Sequence, residues 1–66
     1  MPVRENSIAD YVDPKDGRVL GRYLVLWISG NEATCIPADM IGKSGAAEAQ
    51  QAFDVRHLRF VRQHED

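Results

Sequence analysis

The chain has 66 residues, 44% of them hydrophobic and 27% charged, with a formal net charge of −2. That length holds one domain, and the composition is too apolar for a disordered tail and too near neutral for a global pull toward nucleic acid or membrane. The single cysteine, Cys35, excludes a disulfide within the chain, and no paired Cys/His spacing offers a zinc site.

Residues 1–6 read as a flexible arm. They lack the apolar run that a signal peptide carries, and one unpaired thiol fits a reducing compartment, so the expected location is the cytoplasm. The β-branched and aromatic residues of Ser7–Val12 predict a first strand. Asp13-Pro14-Lys15-Asp16-Gly17-Arg18 is a hairpin signal: proline pre-sets φ for a type I turn, and Gly17 can take the left-handed conformation that closes it. The return strand, Val19–Ser29, is long and rich in β-formers, with Gly21 marking a bend or bulge. Ser29-Gly30-Asn31-Glu32 is a second turn, and residues 33–36 form a third strand that either ends at Pro37, which has no N–H for a ladder, or lies at an edge.

Residues 38–41 predict a single helical or 3₁₀ turn, and Gly42-Lys43-Ser44-Gly45 a flexible joint. Residues 46–53 contain strong helix formers, with Ser44 as N-cap, and predict a short helix. Residues 55–62 read as a C-terminal strand, because as a helix their apolar side chains scatter around the axis. Residues 63–66 read as a flexible tail. The expected fold is therefore mainly β: a three-stranded antiparallel meander, a short helix and a C-terminal strand, forming a small SH3-like barrel or rolled sheet.

The long second strand carries the functional reading. If the turns pair Val12 with Val19 and Ile28 with Ala33, one sheet face holds Ile8, Val12, Val19, Tyr23, Val25, Trp27, Thr34 and Ile36. The other holds Tyr11, Leu20, Leu24, Leu26, Ile28 and Cys35. Both faces are apolar, whereas a sheet with one wet face alternates apolar and polar residues. Both faces therefore need cover: the short helix and the C-terminal strand can cover one, and the second must be covered by curling of the sheet into a small barrel or by another molecule.

Candidate chemistry is sparse. Gly42-Lys43-Ser44 has the end of a phosphate-binding loop, but Pro37 stands where its first glycine belongs. Asp10, Asp13 and Asp16 precede Gly17 at a spacing of three, where a calcium loop needs oxygens every second residue; turn chemistry accounts for two of them. Cys35 with His57 lacks an acidic orienter and lies mid-strand, where a thiol packs as an inert core residue. His57 and His64 read as surface residues. Tyr11, Tyr23 and Trp27 read as core before they read as a peptide groove. Arg56, Arg59 and Arg62 with Phe60 form a locally basic strip of the kind that contacts phosphates and stacks a base.

Trp27 through Ile41, with a turn at Gly30 and then Ile36-Pro37-Ala38-Asp39-Met40-Ile41, resembles the end of an SH3 domain, where two hairpin strands lead into an Ile-Pro-x-x-aromatic 3₁₀ turn. The resemblance covers about fifteen residues and implies a small barrel. Met40 replaces the aromatic residue, paired tryptophans are absent and twenty-five residues follow, so the proline-rich peptide site does not carry over.

The function expected is a small, non-enzymatic interaction or regulatory module that binds another protein and self-associates as a homodimer. Its binding residues are Tyr11, Leu20, Leu24, Leu26 and Ile28. The alternative is nucleic-acid binding through Arg56, Arg59, Phe60 and Arg62. No cofactor, metal or membrane contact is expected, because no residue set provides for one.

Overall fold

The computed structural model describes residues 2–65 and contains five strands: β1 (Ser7–Val12), β2 (Val19–Ser29), β3 (Glu32–Pro37), β4 (Gln51–Asp54) and β5 (Leu58–Gln63). They form one antiparallel sheet in the order β4-β3-β2-β1-β5. Three short 3₁₀ turns, Ala38–Met40, Ala47–Ala49 and Val55–His57, join the later strands. The ladder does not close, since β4 and β5 stay at opposite edges.

The two hairpin turns form as their residues dictate. Gly17 sits at φ +78° and Gly30 at φ +61°, the left-handed region where a Cβ is costly. The Asp13 carboxylate accepts from the Lys15 amide at 2.8 Å, and Asp16 accepts from the Arg18 amide at 3.0 Å. Both are turns in which a short acidic side chain satisfies the backbone. Val12 pairs with Val19, and Ile28 pairs with Ala33.

Between those anchor pairs the expected faces are wrong, because β2 carries two bulges. Tyr11 pairs with Gly21 but Val12 with Val19, which leaves Leu20 as the extra residue; Val25 pairs with Cys35 but Trp27 with Thr34, which leaves Leu26 extra. Each bulge slips the register by one, and one residue of slip exchanges the two faces. Ile8 and Ile36 therefore pack with Leu24, not with Val25. Ala9, Val25, Ala33, Cys35 and Leu58 form the other cluster.

The predicted helix over 46–53 is also overturned. Only Ala47–Ala49 makes a 3₁₀ turn, no side chain caps it, and Gln51–Asp54 is strand β4 paired with β3. An eight-residue stretch is too short to hold a helix by propensity alone. Phe53 gains more from tertiary contact: its ring stacks on Tyr11 at 4.3 Å and meets Tyr23 edge-on at 4.8 Å. The residues of 55–57 form a 3₁₀ turn before β5, with Asp54 accepting from the Arg56 amide at 2.9 Å.

The Tyr11–Phe53 stack measures the curl of the sheet. Three strand spacings separate β1 from β4, about 14 Å in a flat sheet, far beyond ring contact. The sheet must roll strongly for the rings to touch, and this rolling encloses the first cluster together with Val55 and Ile28. The opposite face is covered by the chain itself: Ile41, Ala46, Leu26 and Val61 pack over Ile8, Leu24 and Ile36. The irregular segment after β3 thus takes the place expected for a helix, and the C-terminal strand β5 supplies the rest of the cover.

The terminal segments have specific partners. Asn6 takes φ +61°, which asparagine tolerates better than most residues. Its amide donates to the Val25 carbonyl at 2.7 Å, and its carbonyl accepts from the His64 amide at 2.9 Å. Val3 packs against the first cluster, and Gln63 belongs to β5. Of the segments expected to be an arm and a tail, only Met1 and Asp66 lie outside the described residues.

Cys35 is fully buried, and burial pushes its thiol up to about 11. The folded-state pKa lies above the unfolded value of roughly 8.5, so the neutral thiol's contribution to stability is complete below that pH and is lost as pH rises toward 11. At pH 8 the native thiol should react with iodoacetamide about a hundredfold more slowly than in urea, as followed by mass spectrometry. Equal rates in the two conditions would contradict the buried placement.

Candidate interaction surface

Asp10 is an aspartate in a strand whose other side chains are apolar or small, and its side chain is only 9% exposed. A buried carboxylate needs a counter-charge. Its cross-strand neighbours supply one from each side: Arg22 of β2 and Arg59 of β5. Arg22 donates from Nε to Oδ1 at 2.8 Å and from Nη2 to Oδ2 at 3.3 Å. Arg59 Nη2 stands 3.9 Å from Oδ2, an ion pair too long for a hydrogen bond. The Asp10 hydrogen bond, then its charge, raises the Arg22 pKa above its ordinary value.

β2 is longer than either neighbour, and this length creates the open surface. Residues 19–24 pair with β1, while pairing with β3 begins only at Tyr23, opposite Pro37. Pro37 ends β3 because it has no N–H to donate. The side of residues 19–22 that faces away from β1 therefore has no strand partner among the described residues. A cleft of ≈ 370 Å³ lies at this notch, lined by Gly21, Arg22, Tyr23, Pro37, Ala38 and Asp39. Gly21 makes a close approach there: a Cβ would lie 3.0 Å from Tyr23 Cε1, so the ring would have to shift to admit one.

Exposed large apolar residues gather at the same end. Val19 is 48% and Leu20 56% exposed. Trp27, also exposed, sits at the opposite end of β2. The two outer edges of the sheet are less inviting. β5 carries Arg59, Arg62 and Gln63, and β4 is four residues long, both features that discourage strand pairing.

The five residues expected to bind protein do not share a face. Tyr11 and Ile28 pack against the first cluster, Leu24 and Leu26 belong to the second, and Leu20 alone is exposed. The basic strip is partly neutralised in the structure. Arg56 donates to Asp54 at 2.7 Å, and these side-chain hydrogen bonds hold the Asp54 carboxyl well below the usual carboxylate range. Arg59 leans toward Asp10, Phe60 is half-buried opposite Ala9, and Arg62 is exposed. Among the described residues no group of three or more His, Cys, Asp or Glu side chains could hold a metal, and no helix is long and apolar enough to cross a membrane.

Sequence reasoning passed over the Asp10–Arg22 pair and the notch. Asp10 was legible as a charge inside an apolar strand, which demands a partner; the unequal strand lengths, eleven residues against six, show only in the pairing. Comparison with known protein families, with curated proteins and with solved structures gives no match for this chain.

Proposed function

We propose that this chain is a small, non-enzymatic regulatory or interaction module that binds a protein partner by accepting an extended segment along the free side of β2. The observation behind this reading is the unpaired stretch 19–22, bordered by exposed Val19 and Leu20 and by the cleft at Pro37. Unpaired backbone groups beside apolar side chains are a template for strand addition, in which main-chain hydrogen bonds give affinity and side-chain pockets give selectivity. An SH3-like small barrel is the finer architecture in keeping with the curl of the sheet.

Self-association belongs to this proposal in altered form. The second apolar face is largely covered by Ile41, Ala46 and Val61, so a second copy would dock on the β2 edge instead of on that face. Nucleic-acid binding has less support, since two of its three arginines already face carboxylates.

The test is a selection of random octapeptides on the purified chain, combined with sedimentation. Binders should protect the amides of residues 19–22 from hydrogen exchange, and Leu20→Asp should weaken them at least about tenfold while the circular dichroism stays native. A dimer dissolved by the same substitution would show a second copy on that edge. A chain that stays monomeric and yields no binders, or binders that protect another surface, would overturn the proposal.

A further inference from the structure

Arg22 is the one charged residue that belongs both to the buried Asp10 pair and to the open cleft. Its side chain remains 55% exposed while it holds Asp10. Normally such an arginine is committed, because withdrawing it would orphan a buried carboxylate at a cost of several kcal/mol. Here a second guanidinium already waits: Arg59 stands 3.9 Å from Oδ2, is 63% exposed, and makes no side-chain hydrogen bond among the described residues. A small rotation of Arg59 closes that gap and gives Asp10 a replacement partner.

We propose that the segment accepted along β2 carries one acidic side chain facing Arg22, and that Arg22 turns from Asp10 to this carboxylate while Arg59 takes over Asp10. The inference rests on the strand-addition reading and names the chemistry of the partner. Two cations share one anion in this row, so the surface holds one positive charge that nothing within the row compensates. An added strand places its side chains about 5 Å from their neighbours on β2, within reach of the Arg22 fork, and a carboxylate matches that fork in both geometry and charge. Asp39 also lines the cleft, and its charge opposes an accumulation of acids there. The fitting partner is thus an apolar extended segment with a single Asp or Glu. A polyacidic run does not fit. Arg59 is a positioning residue: three strand spacings separate it from the added segment, so it acts only through Asp10 and Arg22.

The test uses the octapeptides selected on the full chain. They should share one Asp or Glu among apolar residues. Replacing it by Asn or Gln should weaken binding about tenfold, the loss expected for one charge-assisted hydrogen-bonded pair. Arg22→Gln should erase the difference between acidic and amide peptides. Arg59→Gln should reduce that difference too, although it touches no peptide, and should leave the affinity of the amide peptide unchanged, a split that a general loss of structure would not give. Selected peptides with no acidic residue, or an acidic preference that survives Arg59→Gln, overturn this inference and leave strand addition standing. A failure to select any peptide on residues 19–22 removes both.

Discussion

Ile8→Ala should cost about 2–4 kcal/mol, the range for truncating a fully buried aliphatic side chain. Ile8 is 1% exposed and is flanked on both sides, by Leu24 across β2 and by Arg62 across β5, with Ile36 in the same cluster. A domain of this size has roughly 3–10 kcal/mol of stability in all, so one such cavity consumes much of it. The melting temperature should fall by about 10–25 °C, and urea unfolding followed by circular dichroism should show the midpoint shift without a large change in slope. Leu20→Ala is the control. Leu20 is 56% exposed, and its truncation should cost no more than about 0.5 kcal/mol. Equal effects at the two sites would mean that the second cluster is not the core it is described to be.

Phe53→Ala tests the curl of the sheet. The substitution removes the stack on Tyr11 and the edge contact with Tyr23, the ring contacts that pull β4 toward β1. Phe53 is half-buried, so the expected loss is about 2–3 kcal/mol, somewhat below that for a fully enclosed ring. The effect should also be local. Amide exchange in β4 should accelerate more than in β1 or β2, because β4 has β3 alone as a strand neighbour. A double-mutant cycle between Phe53→Leu and Tyr11→Leu should return a coupling of about 0.5–1.5 kcal/mol, as aromatic pairs do. Absence of coupling would show that the rings are neighbours without being a structural clasp, and the rolled shape would need another cause.

The elements of the first half of the chain were legible because local chemistry specifies them. Asp13-Pro14-Lys15-Asp16-Gly17 allows few backbone conformations other than a tight turn, and Pro37, without an N–H, must either end its strand or lie at an edge. In the second half the 3₁₀ turn after Pro37 and the C-terminal strand, from Leu58 on, were legible too, and only residues 46–53 were misread. Residues 46–53 have helical propensity, but propensity is weak over eight residues, and a ring contact distant in sequence, between Phe53 and Tyr11, outweighs it.

What the sequence by itself determined is the set of turns and the strand character of residues 7–12 and 19–29. Those follow from backbone sterics and from the pattern of apolar residues along one strand. Tertiary structure decided which side chains share a face, because the bulges at Leu20 and Leu26 reverse the alternation; Gly21 signals the first in the sequence, and nothing local signals the second. It decided the candidate surface as well: an unpaired stretch of backbone exists only relative to the length and position of the neighbouring strand, and that neighbour stops at Pro37.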